Sequence, residues 1–305
     1  MTTDPIPFPQ SPARTKDNLG AWLVVGSAVV WSFGGAIARF LPGLDSWTVI
    51  FWRSAFACAF LLAFLFIRDG RRGFSAFRDM GWPGLTVALC FTTASISFVT
   101  ALQYTTVANV VLIDASVPLV AALISWLVLG EKIAPATWAA IAAVIIGVVI
   151  MVSDSLGDRG SMIGNLLAGV IALVFAVATV TTRRYAGVRM TPAVAVATAL
   201  AALIAFTQAG SLNVSPAQMS WLFAFGALNL GLGMAFFVTG ARLIPAPNAA
   251  LFGTLETVLG PFWVWLIHNE ATSPRVLFGG AIVLIALFTH LALERRRAEP
   301  EDATG

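Results

Sequence analysis

The sequence predicts an all-α membrane protein of ten transmembrane helices, arranged as two five-helix repeats of opposite orientation. Three observations predict it. The 305 residues are 58% hydrophobic and only 11% charged, with a mean hydropathy of +0.87, whereas soluble domains carry about 25% charged residues. Asn109, Leu112, Trp126, Leu127, Glu131 and Pro135 recur without a gap as Asn248, Leu251, Trp265, Leu266, Glu270 and Pro274, an offset of 139 residues; self-similarity of this kind marks an internal duplication. Each copy contains an odd number of apolar stretches long enough to cross a bilayer, so the second copy must sit upside down relative to the first.

A span needs about 20 apolar residues. Reading along the chain places spans at about 20 to 40, 46 to 67, 82 to 103, 107 to 129, 135 to 153, 162 to 182, 192 to 209, 217 to 239, 247 to 268 and 274 to 293. Residues 1–18 are polar and carry Pro5, Pro7, Pro9 and Pro12, a composition expected to form a disordered tail. They lack the pattern of a cleaved signal peptide, and the apolar run from Gly20 is long enough to be retained as a span. The first repeat is expected over 19–155, the second over 161–293, and a second tail over 294–305. Cys58 and Cys90 fall inside spans, where a buried thiol is the ordinary reading.

Basic residues set the orientation, because cytoplasmic connections retain Lys and Arg. With the amino terminus inside, fourteen of the 18 basic residues fall on inner segments, among them Arg68, Arg183, Arg184, Arg189 and Arg242; Arg39, Arg159 and Arg275 fall outside and Arg53 lies within a span. The split places both termini in the cytoplasm. The net charge of +3 therefore reflects topology, and it offers no support for a nucleic-acid partner.

The 139-residue offset relates spans 4 and 5 to spans 9 and 10. A weaker offset of 144 relates span 1 to span 6, through Gly20 with Gly164, Ala28 with Ala172 and Arg39 with Arg183. Pro135 and Pro274 suit the first turn of a new helix. Glu131 and Glu270 precede them, where the start of a helix favours an anion, so a scaffold role is expected at both.

Ala101, Leu102, Tyr104, Thr105, Ala108 and Pro118, followed by Gly130 and Glu131, and then Ala241, Ala249, Glu256 and Glu270, resemble the EamA repeats of the drug/metabolite transporter superfamily. The resemblance runs from about Gly20 to His290. Within the family the chain looks most like the bacterial exporters of aromatic and other amino acids, the YddG-like branch. It differs from the usual pattern at Thr257, where a Pro often follows the Glu, and at Asn269, where a Gly often precedes the terminal Glu. The resemblance implies an inner-membrane carrier with two inverted halves around a central cavity, exporting amino acids by alternating access. It implies no enzymatic activity and no cofactor. The expected partners are amino acids, membrane lipid and protons, with one chain able to work as a monomer.

Three charged residues lie inside spans: Arg53, Asp114 and Glu256. Each costs about 2.5 to 3.5 kcal/mol to insert, so each is a functional candidate. Under the offset Asp114 corresponds to Gly253 and Glu256 to Val117; the two acids are three positions apart in register, on one helical face. If that face meets the cavity implied by the resemblance, both carboxylates address the substrate path and can bind a proton. Two other readings stand beside this: Asp114 paired with Arg53, and Glu256 in a helix-to-helix hydrogen bond.

Thr93 and Ser97 in span 3, Ser32 in span 1 and Asn229 in span 8 are further candidates for the cavity wall, although such residues usually hydrogen-bond backbone. Trp31 lies near the middle of its span and corresponds to Phe175 at the offset of 144. The two could wall a site for apolar or ring side chains, or fill core between helices. Gly231 and Gly233 fail the dinucleotide fingerprint, and His268 and His290 lie towards span ends, poorly placed for a metal. Phosphorylated cargo would want several core Lys or Arg, and only Arg53 is available. Rival readings are an exporter of another metabolite or drug and, from a different class, an intramembrane enzyme.

Overall fold

A computed structural model describes residues 12–73, 75–104, 110, 113–153, 162–269 and 273–298. Its elements are helical throughout, with no strand among the described residues. In order they are α1 (Pro12–Ser32), α2 (Gly34–Ala38), α3 (Ser46–Asp69), α4 (Ser75–Asp79), α5 (Gly81–Tyr104), α6 (Val117–Leu129), α7 (Pro135–Val152), α8 (Met162–Arg184), α9 (Thr191–Gln208) and α10 (Pro216–Phe223). A π-helix (Ala224–Gly231) follows, then α11 (Leu232–Gly240), α12 (Ala246–Gly253), α13 (Leu255–His268) and α14 (Pro274–Ala298).

Among the described residues seven helical stretches have the length and apolarity to cross a bilayer: Asn18–Ala38, Ser46–Arg68, Met162–Arg184, Thr191–Gln208, Pro216–Gly240, Ala246–His268 and Pro274–Leu293. Val117–Leu129 and Pro135–Met151 are apolar but shorter, and α5 is 24 residues long. The chain is thus a multi-pass membrane protein. Two expected boundaries move. Helix begins at Pro12 and persists to Ala298, where polar tails were expected to reach 18 and to start at 294. Pro12 suits a first helical turn, where its missing N–H costs nothing.

Sequence features explain the helix ends. The Asp45 carboxylate accepts from the Thr48 amide at the start of α3, and Ser215 and Gln218 form a reciprocal capping box on α10. Proline stands at the first or second position of α6, α7, α9, α10 and α12. At the far ends of α6 and α13 the chain turns through the left-handed region, at Gly130 (φ 66°) and Asn269 (φ 54°). The two positions are equivalent under the offset of 139. Asn is among the few residues besides Gly that visit this region readily, so the substitution keeps the turn.

Packing follows the duplication. The α1·α11 contact is matched by α8·α5, α1 against α12 and α13 by α8 against α6, and the π-helix on α3 by α5 on α9. Two contacts, α3·α9 and α7·α14, join equivalent helices of the two copies, and α6·α12 joins the two broken spans. The principal contacts therefore obey a pseudo-two-fold relation, and the two repeats interlock rather than standing side by side.

Candidate functional site

Helical hydrogen bonding is interrupted at several places that lie well inside these stretches. Between α1 and α2 the chain turns at Phe33; between the helical residues 113–114 and α6 it turns at Ala115 and Ser116; between α12 and α13 it turns at Thr254. A hydroxyl stands at or beside each turn and donates to the carbonyl three residues back: Ser32 to Val29 at 2.6 Å, Ser116 to Ile113 at 2.6 Å and Thr254 to Leu251 at 2.6 Å. In a medium without water, freed backbone groups must find such partners. The fourth irregularity, the π-helix, solves the problem of the first. Its Asn229 amide donates to the Val30 carbonyl at 2.5 Å and to the Trp31 carbonyl at 3.1 Å. Asn229, expected on a cavity wall, is thus buried and tied to the backbone of the broken helix α1/α2.

Two interruptions carry the intramembrane acids. Asp114 is the residue before the Ala115–Ser116 turn; one of its carboxylate oxygens, Oδ1, is buried without a hydrogen-bond partner. Glu256 lies in the first turn of α13, where the helix start favours an anion. It is exposed while Thr254 and Leu255 before it are buried. Glu256, Gly260 and Trp263 recur at i, i+4 and i+7, on one helical face. That face packs on α1 and α2: the Trp263 indole N–H donates to Ser32 Oγ at 2.9 Å and its ring stacks on Phe33 at 4.2 Å. Phe262, Trp265 and Leu266 form the opposite, exposed apolar side. Glu256 is thus exposed on the side of α13 that meets α1 and α2. Arg53 holds its guanidinium over the Phe225 ring, 4.8 Å from the centroid. Its electrostatic partner is Glu256, and Glu256 in turn acts on Asp114. The expected alternative pairing of Arg53 with Asp114 is replaced by a line of charges with Glu256 at its centre.

Trp31 belongs to a cluster of aromatic rings. Trp31 meets Phe175 edge-on at 6.4 Å between centroids and Phe237 at 5.4 Å; Phe91 meets Phe175 at 5.5 Å and Phe237 at 6.3 Å; Phe175 meets Phe237 at 5.1 Å. Trp31 is only 8% exposed, its indole N–H has no partner, and it presses so closely on Gly233 that a Cβ there would overlap the ring. The expected Trp31 and Phe175 pair is present, but as half of a quartet packed as core. Phe91 and Phe237 complete it, related by an offset of 146, a signal too weak to isolate in apolar helices.

The remaining candidates separate. Ser32 is at the centre, between Val29 and Trp263. Ser97 is buried in α5. Thr93 is exposed, on the same side of α5 as the exposed Leu85 and Leu89, and is not brought to the charged line; its buried neighbour Thr92 instead donates to the Ala197 carbonyl at 3.2 Å. Glu131 takes a scaffold role by a route other than the expected helix start: it accepts from Ser125 at 2.6 Å and from Arg183 at 3.3 Å, joining α6 to α8. Glu270, Asn109 and Leu112 lie outside the described residues. His268 lies 2.9 Å from the Ala36 carbonyl and His290 3.2 Å from Asn248 Oδ1. Among the described residues no group of three metal-ligating side chains occurs.

A model of the EamA-like transporter family matches the chain twice, over residues 18–153 and 162–291. No curated protein matches it. Of 29 solved chains that do, one described only as "Crystal structure of protein" superposes with a TM-score of 0.77, at 21% identity, over 92% of this chain and 99% of its own. That likeness speaks to the fold alone.

Proposed function

The chain belongs to the EamA-like transporter family, within the drug/metabolite transporter superfamily, and from that premise we propose that it exports amino acids, aromatic and other neutral ones, by alternating access. The observation that carries the reading is two acids at interrupted helices together with a cation, Arg53, on the continuous helix α3. A zwitterion needs an anion for its ammonium group and a cation for its carboxylate. Asp114 with a buried unpartnered oxygen, the exposed Glu256 and Arg53, whose charge acts on Glu256, supply both. Discontinuous helices at mid-membrane are where transporters of inverted-repeat build bind cargo.

Ten spans follow if α5, α6 with the residues before it, and α7 cross the membrane alongside the seven long stretches. The distribution of basic residues supports both termini in the cytoplasm of a bacterium, with the carrier in its inner membrane and working as a monomer. In that orientation the quartet of Trp31, Phe91, Phe175 and Phe237 is the apolar plug that would part between the inward- and outward-facing states. Exchange of the two states needs no new contact types, since the packing already obeys a pseudo-two-fold relation. Glu256 and Asp114 are the places where a proton would bind if export is proton-linked. Two acids against one base leave the line negative, and this favours a second reading, export of organic cations by the same fold.

Purified protein in proteoliposomes, loaded with labelled phenylalanine or leucine and assayed with and without a proton gradient, separates these. Amino-acid efflux above that of protein-free vesicles is the expected result. Efflux of a lipophilic amine cation without amino-acid efflux would replace it with the second reading; movement of neither sinks both.

A further inference from the structure

Glycines inside the membrane stretches divide by what their missing side chain allows. Gly147 of α7 and Gly279 of α14 lie against one another, Gly226 against the Arg53 carbonyl and Gly233 against the Trp31 ring, so a Cβ at any of them would overlap a neighbour. Small residues of this kind let helices approach closely. Gly253, the last residue of α12, is different. A Cβ there would meet no heavy atom of the described residues within 4 Å, and the backbone is not in the left-handed region. Neither packing nor conformation asks for glycine, which costs conformational entropy in a helix.

The empty space lies on the protein side of the span. Ala246 to Phe252 before Gly253 are buried, as are Thr254 and Leu255 after it. The chain stays near helical geometry at Thr254 (φ −65°, ψ −10°), which keeps Gly253, Glu256 and Gly260 on one side, away from the exposed Phe262, Trp265 and Leu266. At Gly260 a Cβ would meet only the Ser32 carbonyl, at 3.8 Å. Gly169 in α8 is as open as Gly253, but it stands between the exposed Leu166 and Leu173, where lipid accounts for the space. A polar group in need of a partner belongs to the same region. Under the offset of 139 Gly253 corresponds to Asp114, and Ala115 beside that acid shares one buried cluster with Leu251 and Leu255 on either side of Gly253. Asp114 Oδ1 is buried with no hydrogen-bond partner among the described residues, a condition that ordinarily signals a missing partner.

We propose that the space at Gly253 receives the ammonium end of the cargo, and that the missing side chain there sets how bulky a cargo the carrier accepts. The inference rests on the reading of the chain as a carrier of amino acids. In an amino acid the ammonium group and the side chain share one carbon, so whatever crowds the first crowds the second. Glycine at 253 leaves room for a large substituent on that carbon, while the acid at the equivalent position of the other repeat supplies an acceptor. Duplication has thus left a side chain on one broken span and a gap on the other.

The test uses the full-length protein in proteoliposomes. Efflux of labelled alanine and phenylalanine is compared between wild type, Gly253→Ala and Gly253→Val. The phenylalanine-to-alanine ratio is expected to fall about threefold with Ala and at least about tenfold with Val, the size of effect one or a few carbons have in an apolar pocket. Melting temperatures should stay within about 3 °C of wild type, since the added atoms enter empty space. In a Cys58→Ala/Cys90→Ala background, Gly253→Cys is expected to react with aminoethyl methanethiosulfonate, and Ala250→Cys, 3% exposed, to resist it. An unreactive Gly253→Cys, an equal loss for both cargoes, or a melting temperature lowered as expected for Gly233→Ala overturns the proposal. Wild-type efflux with an unchanged ratio in the variants sinks this proposal alone; a wild type that moves neither amino acid sinks the carrier reading and the proposal with it.

Discussion

The broken helix of the first repeat and that of the second share a backbone and differ in chemistry. In both, a hydroxyl at the turn, Ser116 or Thr254, donates to the carbonyl three residues back. Both continuing helices, α6 and α13, end in a left-handed residue, Gly130 or Asn269. The acids, however, sit on opposite sides of the turn. Asp114 precedes it and buries an oxygen without a partner. Glu256 follows it, gains the start of a helix, is exposed and feels the charge of Arg53. What the backbone needs has stayed symmetric after duplication, while the side chains between have been free to diverge.

Substituting the two acids is the strongest way to break this comparison. Glu256→Gln is expected to lower transport by about 10- to 100-fold, the loss typical of a charge-assisted contact, and to change its dependence on pH. Asp114→Asn should cost less than Glu256→Gln. Equal losses in initial-rate efflux, with equal effects on pH dependence, would mean that the asymmetry has no chemical meaning.

The next effects are on stability. Gly233→Ala places a methyl group into the Trp31 ring and is expected to destabilise the protein by about 1 to 3 kcal/mol, the usual cost of overpacking. An unchanged melting temperature would show that Trp31 can move out of the quartet. Asn229→Leu removes the donor from the Val30 and Trp31 carbonyls and should cost about 1 to 3 kcal/mol. If α1 tolerates it without loss of melting temperature, the break does not depend on the π-helix.

The smallest effect sharpens the shared part. Gly130→Ala and Asn269→Ala both place an ordinary side chain at positive φ, at about 1 to 2 kcal/mol for a residue that does not favour it. Asn269 already bears a Cβ, so its replacement should cost less than that of Gly130. The reverse order in thermal denaturation would mean that the Asn269 amide makes a contact of its own.

Much of the architecture was legible. The Trp, Glu and Pro positions at an offset of 139 mark equivalent helices, and the contact α7·α14 joins one such pair, while α6·α12 joins the two broken spans. Of the site, Arg53, Asp114 and Glu256 stood out because charge inside hydrocarbon is costly and therefore rare. Their order did not: the sequence left open whether Asp114 pairs with Arg53, and the acid whose charge acts on Arg53 is Glu256. Thr93 and Thr92 are adjacent in sequence and look alike, yet one is exposed and the other bonds the Ala197 carbonyl. Nothing in a run of small and hydroxyl residues says which side of α5 meets α9.

By itself the sequence determined the solvent, the duplication and the inventory of costly residues, because hydrophobicity, repeat spacing and charge are properties of single positions added along the chain. Only the tertiary structure decided where helices break, which ring completes the Trp31 cluster, and that Asn229 serves the backbone of a helix about 200 residues away. Those outcomes depend on which freed carbonyl or ring face comes within about 3 to 6 Å of which partner, a matter of helix rotation and approach that no local pattern encodes.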